Sequence, residues 1–213
     1  MTASCPKSQI TVCLKKKGKK LKKTRCAWVG KDKIYQQYHD LVWGRAVVDS
    51  QELFAKLCLD GQQAGLSWLT ILKKQKNYEQ AFCNFEPLKI SQMNKDDIER
   101  QMHNKGIVRN RLKINAIVKN ARAYLVMEQK GINFSEFIWQ FVGGKTTINS
   151  WRCGQDVPIT TDESDRMARA LKLHGFSFVG PTICYAFMQA VGLVNDHTQD
   201  CCCYTSACNA ARY

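Results

Sequence analysis

The chain of 213 residues lacks long apolar runs, and strand-like alternation of apolar and polar residues is almost absent. No apolar stretch approaches the ~20 residues that a membrane-spanning helix needs, so we expect a soluble, globular protein. The segment from Met1 to Ile10 is polar, so no secretory signal sequence is recognised. We therefore expect an intracellular protein with no membrane partner, cytoplasmic in a bacterium and nuclear in a eukaryote.

Acidic residues are missing from the first 25 positions, which carry nine lysines and arginines. We predict that residues 1–24 form a flexible basic tail; a nuclear signal, a loose DNA tether and a merely solvated charge run would each explain it. Across the whole chain, 32 Lys and Arg face 18 Asp and Glu, a formal charge of +14. This sign suits a polyanion such as DNA, although an unspecialised basic surface has the same composition.

Apolar residues recur at helical spacing through the middle of the chain. In the 53–58 stretch they share one face behind a cap at Asp49 or Ser50, with Gly61 as the expected end. Further helices are predicted over 66–74, 78–85, 95–103, 111–130, 136–142 and from Thr161 or Asp162 to Gly175, with a long loop over 144–158. The sequence thus predicts an all-α fold: a single helical-bundle domain over residues 25–204 and a short C-terminal tail at 205–213.

A glycine-bounded stretch from Gly175 to Gly180 separates the last two predicted helices. Pro181 stands in the first turn of the second one, which runs to about Leu193. Backbone N–H groups at Gly180 and at the following helix start can bind a phosphate, so this unit is a candidate DNA-binding element. An ordinary turn between two helices is the alternative.

Eleven cysteines are a large and odd number, and a reducing setting favours metal ligands or core thiols over disulfides. His197 and Cys201 are four residues apart, and Cys26 and His39 lie in the aromatic-rich start. Two cysteines and two histidines can close a tetrahedral zinc site, and a closed shell without an open water position is structural. The C-terminal segment also holds rival ligands: Cys202, Cys203 and Cys208.

Aromatic residues crowd the same start of the chain, with Trp28, Tyr35, Tyr38 and Trp43 within 16 residues. Trp68 follows a Gly-Gln-Gln-Ala-Gly-Leu-Ser run. Such a cluster either packs as core or encloses a flipped base, and it would favour a cationic base because ring faces attract positive charge. Composition leaves both interpretations open.

Several long segments resemble a known family. They run from Arg25 to about Tyr204: Cys26-Ala27-Trp28-Val29, Tyr38-His39-Asp40, Val42-Trp43-Gly44, Gly61-Gln62-Gln63-Ala64-Gly65-Leu66-Ser67-Trp68, Asn120-Ala121-Arg122-Ala123-Tyr124, Gly175-Phe176, Phe178-Val179-Gly180, Val194-Asn195-Asp196-His197 and Cys201-Cys202-Cys203-Tyr204. The chain resembles the bacterial-type 3-methyladenine DNA glycosylase I group of the helix-hairpin-helix glycosylases. The resemblance implies a monomeric helical protein of base-excision repair. It would hydrolyse the N-glycosidic bond of 3-methyladenine in double-stranded alkylated DNA, without a lyase step.

The resemblance also implies the site residues. One structural zinc would join the N- and C-terminal segments through Cys26, His39, His197 and Cys201. The base pocket would comprise Trp28, Tyr35, Tyr38, Trp43, Asp60 and Trp68. Tyr38 and Trp68 would face the base and form the catalytic group together with Asp60. The DNA-binding hairpin would comprise Gly175, Phe176, Ser177, Phe178, Val179 and Gly180.

Two positions depart from the family pattern. Asp60 stands where the family has a Glu that hydrogen-bonds the methylated adenine edge, and the shorter side chain sets the carboxylate roughly 1.3 to 1.5 Å further back. A misplacement near 1 Å can lower a rate by about a hundredfold. Val42 replaces an acid before Trp43. A catalytically impaired relative that binds DNA or lesions is therefore the alternative function, and a structural zinc module for protein partners is a third.

Overall fold

The structure, a computed structural model, describes residues 23–209. Ten α-helices account for most of them: α1 (Lys33–Leu41), α2 (Ser50–Gln63), α3 (Trp68–Ala81), α4 (Pro87–Ser91), α5 (Lys95–His103), α6 (Arg111–Gln129), α7 (Phe134–Trp139), α8 (Asp162–Leu173), α9 (Pro181–Ala190) and α10 (Tyr204–Asn209). Short 3₁₀ helices lie at Ala27–Val29, Cys83–Phe85, Gln140–Val142 and Gly154–Asp156. The predicted helical fold is confirmed. None of the helices in the described part of the chain is long and apolar enough to cross a membrane.

The two predicted tails are covered unequally. Residues 1–22 lie outside the described residues, so the basic tail stays a prediction. At the other end, residues 204–209 form α10, and Ala207 on this helix is buried. The segment predicted as a short tail at 205–213 therefore begins with a packed helix, because a small apolar side chain there reaches the core.

Polar side chains begin the helices that position the site. Asp49 accepts a hydrogen bond from the backbone N–H of Glu52 at 2.8 Å at the start of α2. Ser67 accepts one from the N–H of Thr70 at 3.2 Å at the start of α3. Pro181 is the first residue of α9, where its missing N–H costs nothing. The cap predicted for α2 and the proline predicted for α9 are thus confirmed.

Two predicted helix boundaries are wrong. The helix α2 does not end at Gly61 but runs on to Gln63. Gly61 faces the segment between α8 and α9, where a Cβ on this residue would meet Phe178 at 3.2 Å. A close approach of two segments, rather than a helix end, accounts for the glycine. The helices predicted over 66–74 and 78–85 are replaced by α3, which is continuous because no glycine or proline interrupts residues 68–81.

The helix α2 is the central element and contacts α3, α6, α7 and α9. Its Leu53 and Phe54 are fully buried, and burial of such side chains stabilises a fold by roughly 1.5 to 3 kcal/mol each. Lys113 of α6 closes its C-terminal end, with Nζ donating to the carbonyls of Gln62 at 2.7 Å and Ala64 at 2.6 Å. Carbonyls in a last helical turn otherwise have no helical partner, so the ammonium fixes this turn.

A short parallel sheet carries the C-terminal segment back toward the start of the fold. It pairs β1 (Thr147–Ile148) with β2 (Val194–Asn195). The sequence predicted no strand, and β1 lies within the segment 144–158 that was expected to be a loop. Beyond β2, the backbone N–H of Cys202 donates to the carbonyl of Thr24 at 2.9 Å. The two ends of the domain therefore meet.

We predict that Gly192→Ala destabilises the fold more than Gly143→Ala does. Both glycines have a positive φ, +74° and +66°, so alanine costs about 1 to 2 kcal/mol at either position. At Gly192 a Cβ would meet backbone atoms of Arg45 and Ala46 at 2.5 Å, whereas nothing lies within 4 Å at Gly143. Urea denaturation should show roughly a further 1 to 3 kcal/mol lost from the free energy of unfolding of Gly192→Ala. Equal losses would contradict this account.

Candidate functional site

One cavity of about 290 Å³ gathers all six residues predicted for the base pocket. They come from the N-terminal segment, α1, α2 and α3: Trp28, Tyr35, Tyr38, Trp43, Asp60 and Trp68. The C-terminal half of α9 forms another wall through Ala186, Gln189 and Ala190. The volume is at the lower end of the range for small-molecule sites, so the cavity suits a compact ligand.

The two aromatic rings expected to face a base contact each other. The centroids of Tyr38 and Trp68 are 5.4 Å apart, and the ring planes are inclined by 46°. For a flat ligand to stack between two parallel rings, the rings must be about 7 Å apart, which is twice the separation of carbon atoms in contact. These rings therefore form a wedge rather than a parallel sandwich, and a ligand must enter its open side or part them.

The only carboxylate among the predicted pocket residues is half satisfied. Asp60 is buried, and its Oδ1 accepts from the ammonium of Lys56 at 2.5 Å, one helical turn away. Within the described chain, Asp60 Oδ2 and Trp68 Nε1 have no hydrogen-bond partner. Burial raises the pKa of Asp60 and lowers the pKa of Lys56, and in each case the partner's charge opposes the shift. Asp60 thus keeps an acceptor, and Trp68 a donor, that no group of the described chain uses.

Behind the pocket, four buried side chains bring their ligand atoms within 4.8 Å of one another: Cys26, His39, His197 and Cys201. Cys201 Sγ lies 3.4 Å from His39 Nε2 and 3.4 Å from His197 Nδ1, and Cys26 Sγ lies 3.6 Å from His197 Nδ1. Sulfur and nitrogen ligands of a tetrahedral zinc are about 3.6 Å apart. This buried group, the one predicted, can hold a metal ion.

The rival cysteines fit this group less well. Cys202 is exposed. Cys203 Sγ lies 4.0 Å from His39 Nδ1, whereas it is the other ring nitrogen of His39, Nε2, that faces Cys201. Cys208 lies outside the residues whose side chains the structure describes. Geometry therefore favours Cys201 as the cysteine from the C-terminal segment.

A chain of polar contacts orients one histidine of the cluster. Arg25 donates from Nε and Nη2 to the two carboxylate oxygens of Asp40, each at 2.8 Å. Asp40 Oδ1 in turn lies 2.9 Å from His39 Nδ1. The guanidinium of Arg25 holds the pKa of Asp40 well below its usual range, so this carboxylate is charged and fixes the imidazole with Nε2 toward Cys201.

The predicted hairpin lies between α8 and α9. Phe176 and Val179 are 3% and 1% exposed, so these two residues pack into the core and cannot reach DNA. The N–H groups of the partly or fully exposed residues Phe178, Gly180, Thr182 and Ile183 donate to no other described residue. This row of free donors at the start of α9 suits an anion.

A family model for methyladenine glycosylases matches residues 28–204. The chain belongs to the methyladenine glycosylase family. It is 54% identical over 183 residues to a DNA-3-methyladenine glycosylase of Haemophilus influenzae, covering 86% of this chain and 99% of that one. It is 51% identical over 180 residues to the DNA-3-methyladenine glycosylase 1 of Escherichia coli, covering 84% and 96%.

Solved structures of family members have the same fold. A crystal structure of a 3-methyladenine DNA glycosylase I has a TM-score of 0.84 and 51% identity, covering 85% of this chain and all of that one. The enzyme from Staphylococcus aureus, solved to explain its recognition of 3-methyladenine, has a TM-score of 0.82 and 43% identity, covering 84% and 96%. This methyladenine glycosylase therefore spans nearly the whole length of these relatives.

A second buried carboxylate, Asp196, also lines this pocket. Asp196 accepts four hydrogen bonds, each of 2.7 Å, from Asn149, Trp151, Tyr185 and Gln189. The donors belong to α9 and to the segment after β1. Because all four donors bind one charged group, these hydrogen bonds join the segment after β1 to α9, which forms part of the pocket wall.

Sequence reasoning missed three polar features of this methyladenine glycosylase. Lys56 precedes Asp60 by four residues, a spacing that brings opposite charges together on a helix and could have revealed the pair. Arg25 with Asp40, and Asn120 with the hairpin, join residues distant in the sequence, so no local signal marks them. Asn120 Oδ1 accepts from the N–H of Ser177 at 2.7 Å, and its Nδ2 donates to the carbonyl of Ser177 at 3.1 Å.

We predict that Asn120→Ala loosens the hairpin of this family member. The change leaves the peptide groups of Ser177 without partners, which should lower the free energy of unfolding by about 1 to 3 kcal/mol and speed amide exchange at Ser177. Asn115→Ala is the matched control, because Asn115 is exposed on the same helix and should change stability by no more than about 0.5 kcal/mol. Unchanged exchange at Ser177 in Asn120→Ala would contradict the clamp.

Proposed function

We propose that this protein is a DNA-3-methyladenine glycosylase, which hydrolyses the N-glycosidic bond of 3-methyladenine in double-stranded alkylated DNA. Enzymes of that name are 54% and 51% identical to it over nearly their whole length, which favours an active enzyme over an impaired relative. The observation that carries the proposal is the aromatic cavity with the free acceptor Asp60 Oδ2 inside it. The enzyme is monofunctional and acts as a monomer.

Recognition begins with the chemistry of the damaged base. In DNA, 3-methyladenine is positively charged, so it is a good leaving group and needs positioning more than chemical activation. Tyr38 and Trp68 present ring faces, to which a cation binds with about 0.5 to 2 kcal/mol, and Asp60 Oδ2 accepts a hydrogen bond from the exocyclic amine. Burial raises the pKa of Tyr38 well above its ordinary value, so this side chain stays a neutral phenol. Water then attacks the sugar as the base leaves.

The hairpin is the proposed DNA-binding element. Its free N–H groups at Phe178, Gly180, Thr182 and Ile183 lie at the positive end of the α9 dipole, where a backbone phosphate finds donors and favourable charge. Phe176 and Val179 contribute by packing beneath this surface. The hairpin thus holds one phosphate while the lesion leaves the base stack.

We predict that Asp60→Asn and Trp68→Ala both lose base release while they keep the fold. Loss of a hydrogen bond to a charged group corresponds to about a tenfold to hundredfold lower rate. The measurement is free 3-methyladenine released from methylated duplex DNA, with circular dichroism to verify folding. Gln80→Ala, an exposed change on α3, the helix that begins with Trp68, is the control.

Two outcomes of this assay would decide against parts of the proposal. Full activity in both variants would show that the base binds elsewhere. If the wild-type protein releases no base while Asp60→Glu does, the chain is a catalytically impaired relative whose activity needs the longer acidic side chain.

We also propose that the buried Cys/His group holds one structural zinc. Two thiolates and two imidazoles suit zinc, and a closed set of four protein ligands leaves no position for a reacting water. The ion would join the N-terminal segment to the C-terminal one, since Cys26 and His39 come from the first and His197 and Cys201 from the second.

We predict about one zinc per chain after purification without added metal. Cys201→Ser should lose the metal and melt at a lower temperature, because binding of the ion contributes directly to the stability of the fold. Cys202→Ser is the control, as Cys202 is exposed and next in the sequence. Elemental analysis and thermal melting measure both effects. Stable, metal-free wild-type protein would be evidence against the zinc.

A further inference from the structure

The cavity already contains a cation supplied by the protein. The ammonium of Lys56 lies 3.8 Å from the ring centroid of Trp68 and 6.0 Å from that of Tyr38. It also lies 2.5 Å from Asp60 Oδ1. The proposed function assigns these same three side chains to the base. Lys56 therefore occupies the place where a charged base would contact a ring face and a carboxylate.

Burial makes this charge effective. The side chain of Lys56 is 14% exposed and that of Asp60 is 3% exposed, so water screens the pair weakly. The ammonium cancels most of the negative potential that the carboxylate would otherwise give the cavity. Asp60 Oδ2 nevertheless remains a free acceptor, so Asp60 keeps a hydrogen-bonding function although Lys56 offsets its charge.

The lysine has room to move without leaving the neighbourhood. Lys56 also lines an adjoining cavity of about 420 Å³, whose wall includes Glu52 and Glu79. A base that stacks on Trp68 must push the ammonium off the ring face, and this second cavity can receive it. Lys56 is attached to α2 one helical turn before Asp60, so the displaced ammonium stays close to the pocket.

We propose that Lys56 is a specificity-determining residue, which weakens the pocket's preference for a cationic base over a neutral base of the same shape. The inference rests on the proposed base pocket. A cationic base donates to Asp60 Oδ2 but meets a second positive charge nearby, whereas a neutral base of the same shape makes the same hydrogen bond without that repulsion. Lys56 thereby widens the range of bases toward neutral ones.

The test compares two small ligands of equal shape and different charge. One is 3,9-dimethyladeninium, a permanent cation in which the second methyl group replaces the sugar. The other is its neutral isostere, 3-deaza-3,9-dimethyladenine. Titration calorimetry at slightly alkaline pH measures the affinity of the full chain for each ligand. The ratio of the two affinities reports discrimination by charge.

We expect Lys56→Met to bind the cation about tenfold more tightly than the wild type does, with less than about a twofold change for the neutral ligand. Lys56→Arg should keep the wild-type ratio, because it keeps the charge. Lys76→Met, an exposed change on α3, controls for the general loss of a positive charge and should alter neither affinity. Lys56→Gln should reproduce the shift of Lys56→Met, so a folding defect in one variant does not decide the result.

Two results would overturn the proposal. An equal gain for both ligands in Lys56→Met and Lys56→Gln would mean that the lysine only fills space, and an unchanged ratio would mean that its charge has no effect. Wild-type protein that binds neither ligand would overturn the pocket assignment itself, and with it this proposal. Release of 3-methyladenine from DNA tests the activity independently, so the two failures are distinguishable.

Discussion

The pocket depends on the contact between the two ends of the domain. Cys26 and His39 from the first end meet His197 and Cys201 from the second in one buried group. The walls of the pocket rest directly on it: the ring of Trp28 packs against His39 at a centroid distance of 5.4 Å, and that of Trp43 against His197 at 4.6 Å. The aromatic residues of the N-terminal segment hold their positions because the cluster behind them joins distant parts of the chain.

Two buried carboxylates illustrate how the same chemical group serves structure in one place and, in the proposed function, binding in another. Asp196 accepts four hydrogen bonds from the protein, so its capacity is used up and it stabilises the local arrangement. Asp60 has one protein partner and one free oxygen. An unsatisfied buried acceptor is costly in the empty protein, and that cost is recovered when a ligand donates to it. The contrast distinguishes a supporting carboxylate from a recognising one.

The sequence was informative where the physical signal is local or where long motifs match a family. Caps and apolar spacing predicted most helices, while the choice of Cys201 over its neighbours came from the resemblance. Gly61 was misinterpreted because a glycine that permits close packing looks the same in sequence as one that ends a helix. The clamp of Asn120 on Ser177 and the bridge from Arg25 to Asp40 span 57 and 15 residues, so only the folded chain reveals them.

The helix α9 connects the proposed phosphate site to the pocket, with free N–H groups at its start and Ala186, Gln189 and Ala190 in the pocket wall near its end. Its ten residues span about 15 Å at the usual helical rise, and a helix resists stretching and bending over that length. The helix therefore sets a fixed distance between its first turn and the pocket wall. In the proposed binding mode, a phosphate held at one end fixes the distance from the DNA backbone to the pocket, and the nucleotide has to cover that distance by rotating out of the duplex.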